Sequence, residues 1–285
     1  MNASYSDPDR EAIYRVIAER RDIRTGFRPD PIPDAVLTRI LAAGHAAPSV
    51  GMAQPWDFVV VRSPDRRRRM QEEVRRAQDA YTATLPASRA ASFGRLRTDA
   101  IARAPVSVAV TCDATRGGWY TLGAPDGSEG LTRSVGYAIE NMLLVARAEG
   151  IGVCLLGAFG AARLGPLLEL PAHLEVMAWL CLGYLDRFPP AAGLALTGWA
   201  RGRPLEWVVH DETFGRRGLP GRQPARLLEE TTAGLRSLDG NAADGEQRAR
   251  VADRLASLGT PAPAPHAVLV LFAGDPAGRG GSAGP

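Results

Sequence analysis

Apolar residues recur at helical spacing near the start of the chain, where Ile13, Val16 and Ile17 lie within the segment Asp9 to Arg20. This period of about 3.6 residues predicts an amphipathic helix. Pro33-Asp34 opens a second helix that turns Val36, Leu37, Ile40 and Leu41 inward, so two helices bracket Arg20 to Phe27. Asp57 to Arg62 then reads as a buried strand between Gln54-Pro55-Trp56 and Ser63-Pro64. A polar, helix-favouring stretch runs from Arg66 to about Arg103, and its Arg66 to Arg69 run, followed by Glu72 and Glu73, predicts a solvated face. Pro105 to Cys112 has strand character. Arg133 to Glu149 predicts a central helix with Val135, Ala138, Ile139, Met142 and Val145 on one side, closed by Gly150. Ile151 to Leu156 and Glu175 to Tyr184 complete the pattern as strands.

Strands alternating with helices predict a sheet covered by helices. No GxGxxG follows a strand, which argues against a dinucleotide Rossmann site. From about residue 216 the composition shifts to Gly, Pro, Ala and charge, through Asn241 to Gly245. The expected organisation is a domain over residues 1–215, a linker over 216–246 and a low-complexity tail over 247–285. The tail holds one short helical stretch, Gln247 to Leu258, and one apolar run, His266 to Ala273. A lone helix and strand cannot bury a core, so this tail must dock or stay loose.

Composition narrows the functional classes. With 285 residues, 45% of them hydrophobic, the chain can bury one sizeable core. No apolar run approaches the roughly 20 residues that span a bilayer, and the N-terminus lacks a secretory apolar core, so a cytoplasmic protein without a membrane partner is expected. The cysteines Cys112, Cys154 and Cys181 are odd in number and lack CxxC spacing, which suggests neither a disulfide framework nor a zinc site. The net charge of +3 is dispersed among 31 acidic residues without clustered aromatics, which argues against nucleic acid as a partner. All 34 basic residues are Arg, so no single arginine is informative by type alone.

Two segments carry chemistry. Arg20-Arg21-Asp22-Ile23-Arg24 packs three cations and a carboxylate between two helices, where planar guanidinium groups can pair with phosphate. A surface cluster at a helix end, favoured by the dipole, would satisfy the same composition. Ala47 to Trp56 combines small residues, an amide and two prolines directly before a strand. Ser49 and Gln54 offer donors and acceptors to a planar heterocycle, and Gly51 permits close backbone approach. The alternative there is an ordinary proline-stiffened turn.

Together these segments resemble the flavin-binding signature of the nitroreductase superfamily. The match is closer to its aerobic 5,6-dimethylbenzimidazole synthase branch. The pattern RRDxRxxF is met by Arg20, Arg21, Asp22, Arg24 and Phe27, and APSVGxxQPW by Ala47 to Trp56. Thr111-Cys-Asp113 with Thr115-Arg-Gly-Gly118, Asn141 with Ala146 to Gly150, and Ala178 to Gly183 extend the likeness, which covers about Tyr14 to Phe214. The resemblance implies an α+β nitroreductase-like fold, a central mixed sheet flanked by helices, and a homodimer with flavin at the subunit interface. It implies FMN contacts from Arg20, Arg21, Asp22, Ile23, Arg24, Ser49, Gly51, Met52, Gln54, Leu156 and Gly157, with Arg201 or Arg203 of Gly198 to Leu205 at the phosphate. It further implies consumption of reduced FMN and molecular oxygen to make 5,6-dimethylbenzimidazole, the lower ligand of cobalamin, without a metal. A separate reductase using NAD(P)H would supply the reduced flavin. A proton must leave the ribityl carbon next to the ring, and Asp22 is the expected general base.

The chain departs from the family pattern in places. Met52 replaces the usual Asn, and Gly157 stands where the family carries a Ser near the flavin ring. The Ser is dispensable, Cys154 or Ser49 substitutes for it, or fragmentation has been lost. The alternatives are therefore an FMN-dependent NAD(P)H nitroreductase or flavin reductase, or a flavin-binding homologue without turnover. Val251 to Pro261 with Val268 to Asp275 resembles the start of nicotinate-nucleotide:dimethylbenzimidazole phosphoribosyltransferase, either as a fusion remnant or by chance, and its catalytic remainder is absent.

Overall fold

The computed structural model describes residues 4–93, 100–117, 128–157, 161–196, 205 and 208–216. The chain divides into two units, Met1–Trp199 and Ala200–Pro285. Arg201, Arg203, the linker beyond residue 216 and the tail lie outside the described residues. Within the second unit, the Gly215 N–H donates to His210 Nδ1 at 3.1 Å and the Phe214 ring packs against His210.

The described residues of the first unit hold four strands: β1 (Trp56–Val61), β2 (Val106–Asp113), β3 (Ile151–Leu156) and β4 (Leu174–Tyr184), in the order β1-β2-β4-β3. Every neighbouring pair is antiparallel, so the described sheet is not the mixed one expected. The reason lies in the connections. The helical excursion between β1 and β2 leaves and returns at one sheet end, where Val61 pairs with Ser107. The crossover from β2 to β3 does join parallel strands, but β4 inserts between them.

The central strand β2 is buried along its whole length, and its side chains alternate between two cores. Val106, Val108, Val110 and Cys112 face one core, together with Leu180 and Leu182. That core is closed by α2 (Asp34–His45) and α6 (Ser128–Ala148). Leu37 and Ile40 on α2, and Leu131, Val135, Ala138, Met142 and Ala146 on α6, recur at three- and four-residue intervals and are buried there. Ala109, Trp179, Cys181, Cys154 and Leu156 face the second core, under α3 (Pro64–Thr82) and α5 (Ala100–Arg103). A register shift between Val110 and Thr111 turns Val176 into this second core.

Three expectations change. Among the described residues β1 is an edge strand with half-buried inner residues, because only β2 pairs with it there. The polar stretch after it breaks into α3, α4 (Ala87–Phe93) and α5. Within Arg66 to Arg69, Arg67 is 7% exposed and donates to the Ala102 and Ala104 carbonyls at the end of α5. A cation there complements the negative end of a helix, while burial lowers its pKa.

The first helix, α1 (Asp7–Glu19), is capped by Ser6, which accepts from the Asp9 N–H, and buries none of its residues. Its apolar stripe remains open, with Ile13 49%, Tyr14 64% and Ile17 53% exposed.

Candidate functional site

The segment after α1 is placed by backbone pairing. Arg20 caps α1, its N–H bonding Val16 O, and takes an extended ψ of 136°, which turns the chain onto the sheet. The Ile23 N–H donates to Val153 O at 2.9 Å, and Asp22 and Val153 form a one-residue parallel bridge on β3. The Arg28 N–H then reaches Tyr184 O at 2.9 Å. Ile23 and Phe27 are buried in the second core and anchor this strap.

The strap lies close because Gly152 and Gly183, partners across β3 and β4, have no side chains beneath it. A Cβ on Gly152 would approach Leu185 Cδ1 to 2.7 Å and Ile23 Cγ1 to 3.3 Å. One on Gly183 would approach Pro105 Cδ to 2.7 Å and Phe27 Cδ1 to 2.9 Å.

The strap presents Asp22 with both oxygens engaged. Oδ1 accepts the Leu155 N–H at 2.9 Å, and Oδ2 accepts Arg24 Nε at 2.6 Å. Burial opposes the Arg24 charge, but Asp22, with smaller help from Cys154 and Cys181, outweighs it and holds the guanidinium pKa above its ordinary value. Arg20 pairs with Glu140 on α6 at 3.1 Å. Arg21 donates through Nη1 to the Ala18 and Arg20 carbonyls, at 2.6 and 2.7 Å, while its buried Nε lacks a partner.

β3 leads from Leu155 into Leu156, whose side chain is buried in the second core and leaves only backbone to a ligand. Gly157 follows, exposed, and a Cβ built there meets no heavy atom within 4 Å among the described residues. Cys154 is fully buried opposite Cys181. A hydrogen bond with Cys181, then burial, pushes its thiol pKa well up, so it is a protonated core thiol and not a stand-in for the missing Ser.

The second expected segment lies at the other sheet edge, before β1. The Ser49 Oγ accepts the Gln54 N–H at 3.0 Å, and the Val50 N–H donates to Ser134 Oγ on α6 at 3.1 Å. Between them the backbone is left-handed at Gly51 (φ 56°), Met52 (φ 53°) and Gln54 (φ 45°). For Met and Gln this is a sparsely populated conformation that neighbouring structure must hold. The Met52 side chain is 85% exposed. No described hydrogen bond or ion pair joins this loop to Arg20 through Arg24. Both touch α6, at Ser134 and Glu140, about 9 Å apart along the axis at ~1.5 Å per residue.

Sequence reasoning missed several of these participants. The Leu155 N–H, Glu140, Ser134 and the paired glycines act through tertiary contacts that no local pattern announces. Arg116, whose sequence signal is only its place in the Thr115 to Gly118 motif, donates to Gln54 O and Trp56 O, at 3.0 Å each, and to Asp57 Oδ2 at 2.9 Å.

Asp113 supports the turn that carries Arg116. It accepts the Thr115 O–H at 2.6 Å and the Thr115 N–H at 2.9 Å. The Thr115 hydroxyl bond, with smaller help from Arg116 and His173, lowers its pKa against burial. The folded carboxyl thus holds its proton less tightly than the unfolded one, whose value is near ~3.9. Its stabilisation is complete above that value and disappears as pH falls through the lower folded pKa. Thermal melts from pH 7 towards pH 3 should therefore show a smaller acid loss for Asp113→Asn than for the wild type.

An FMN-sized anion fits these residues in kind. The strap supplies several guanidinium groups, one with a buried unpartnered Nε, and a Cβ built on Gly157 meets no described atom within 4 Å. Among the described residues, no cluster of His, Cys, Asp and Glu could hold a metal, and no helix is long and apolar enough to cross a membrane.

Comparison with known proteins gives the family and the fold. The Nitroreductase family model matches residues 17–184. The 5,6-dimethylbenzimidazole synthase of Rhodospirillum rubrum is 34% identical over 199 residues, covering 70% of this chain and 94% of the relative. That of Rhodobacter capsulatus is 31% identical, covering 72% and 98%. A solved iodotyrosine deiodinase bound to FMN and 3-iodo-L-tyrosine shares the fold, with a TM-score of 0.58, 20% identity, and coverage of 71% of this chain and 100% of that one. With the family model matching residues 17–184 and a 5,6-dimethylbenzimidazole synthase 34% identical over 70% of the chain, the chain belongs to the nitroreductase family, in its 5,6-dimethylbenzimidazole synthase branch.

Proposed function

We propose that this chain binds reduced FMN and, with molecular oxygen, fragments it to 5,6-dimethylbenzimidazole, the lower ligand of cobalamin. The observation that carries the reading is the Asp22 carboxylate, held between the Leu155 N–H and Arg24 on the strand that runs into Gly157. Identity to two synthases above 30% supports it.

When bound, reduced FMN supplies the electrons that oxygen takes up, and its own ring and ribityl chain are the material converted. The chain's residues do the rest. Arg20, Arg21 and Arg24, with Arg201 or Arg203, bind the anionic flavin. Ser49, Gly51, Met52 and Gln54 line its ring. Asp22 takes the proton from the ribityl carbon on a carboxylate oxygen that Arg24 orients. The Gly157 N–H lies where the family's Ser would stand.

The working form is proposed to be a homodimer. Most apolar residues of α6 are spent on the protomer's own core, so among the described residues we assign the second copy to the open α1 stripe of Ile13, Tyr14 and Ile17, with Tyr137 of α6. The loop and the strap lie at opposite sheet edges, which suits a site completed between subunits. Sedimentation should give twice the 30.3 kDa chain mass. A flavin-loaded monomer contradicts the dimer.

Incubating the full chain with reduced FMN in air and identifying the products by mass spectrometry tests the activity. Gly157 favours one second reading, a flavin binder without turnover. Because a Cβ at Gly157 meets no described neighbour, Gly157→Ser should fold with an unchanged melting temperature. Product from the wild type, at a rate that the Ser variant equals or exceeds, supports the synthase. No product from either form supports the binder.

A further inference from the structure

We infer that Arg116 is a positioning residue for the flavin loop, its guanidinium group fixing the backbone of Gln54 to Trp56 so that the Gln54 side chain is presented to the ligand. The inference rests on the flavin reading of that loop.

Three consecutive carbonyls of the loop are claimed by the turn that ends β2. Arg116 Nη1 donates to Gln54 O and Trp56 O, both at 3.0 Å, and the Asp113 N–H donates to Pro55 O at 2.7 Å. The same guanidinium is oriented by Asp57 Oδ2 at 2.9 Å and Asp113 Oδ2 at 3.5 Å. The turn itself is built by the Thr115 bonds to Asp113, by the Arg116 N–H bonding Asp113 O at 3.3 Å, and by Gly117 at φ 101°.

The loop needs such a clamp. Gln54 adopts φ 45° and Met52 φ 53°, conformations that side-chain-bearing residues leave when nothing holds them. The Ser49 hydroxyl holds the Gln54 N–H, and Arg116 holds its carbonyl, so both peptide groups flanking its Cα are fixed. A planar fork can serve two carbonyls and a carboxylate at once, whereas an ammonium group cannot reproduce that geometry.

The test uses the full chain titrated with oxidised FMN, following flavin fluorescence, for the wild type, Gln54→Ala, Arg116→Met, Arg116→Lys and the double variant Gln54→Ala with Arg116→Met. Both Arg116 variants should weaken FMN binding by about tenfold or more, and Arg116→Lys should do so with an unchanged melting temperature. In the Gln54→Ala background the Arg116→Met effect should fall below about threefold, as for residues acting through one contact. Wild-type affinity in Arg116→Lys, or losses from Gln54→Ala and Arg116→Met that simply multiply, would overturn the inference. If Gln54→Ala and Arg116→Met are both silent while the wild type binds FMN, the positioning role alone fails. If the wild type binds no FMN, the flavin reading fails and takes the inference with it.

Discussion

Replacing Asp22 by asparagine is expected to slow 5,6-dimethylbenzimidazole formation by about 10²- to 10⁴-fold, the usual contribution of a positioned general base. The substitution is nearly isosteric, and an amide oxygen can still accept the Leu155 N–H that now donates to Oδ1 at 2.9 Å. The other end changes character, because an amide nitrogen would face Arg24 Nε, donor against donor, where a carboxylate oxygen accepts at 2.6 Å. Arg24 must therefore turn away and the proton acceptor is gone, while the remaining arginines of the strap still offer positive charge to the flavin. FMN affinity should fall far less than the rate of product formation. Fragmentation at the wild-type rate in Asp22→Asn would remove Asp22 from the chemistry and reduce its pairing with Arg24 to a structural ion pair.

The second large effect is expected at Gly183, distant from Asp22 in sequence but beneath the same strap. Gly183→Ala introduces a Cβ 2.7 Å from Pro105 Cδ and 2.9 Å from Phe27 Cδ1. Pro105 is a rigid ring directly before β2, so Phe27 must give way, and Phe27 is one of the two side chains that anchor the strap in the second core. Overpacking of this kind costs about 1–3 kcal/mol. Denaturant unfolding should show that loss, and FMN binding should weaken alongside it because Asp22 and Arg24 ride on the displaced segment. The same substitution at Gly157, where no described neighbour is met, serves as the control and should leave stability unchanged.

The elements of this fold were legible wherever a periodic pattern coincided with burial. The α6 residues Val135, Ala138 and Met142 and the strand residues of β2 and β4 follow their periods because the sheet buries them on schedule. The antiparallel order was not legible, since a helix between two strands suggests a parallel crossover and nothing local shows β4 inserting between β2 and β3. Arg67 shares the sequence pattern of its solvated charged neighbours, and only the fold places the end of α5 over it. On α1, Ile13 and Ile17 have helical spacing without burial, so the pattern revealed a face but not what covers it.

The candidate site divides in the same way. Arg20 through Arg24 and the loop before β1 stand out as contiguous motifs. The partners that give them geometry are backbone groups and single residues far away in the chain: the Leu155 N–H for Asp22, Ser134 for Val50, and Arg116 for Gln54 and Trp56. Gly157 was legible as a departure from the family. The structure adds that a Cβ at this position meets no described neighbour and that Cys154 faces the core beside Cys181.

The most direct measurement is aerobic incubation of the full chain with reduced FMN, supplied by a separate NAD(P)H-dependent reductase, with mass-spectrometric analysis of the products. 5,6-Dimethylbenzimidazole should accumulate as FMN disappears. Rapid NAD(P)H oxidation by the chain itself, with the flavin recovered intact and no 5,6-dimethylbenzimidazole formed, would contradict flavin fragmentation.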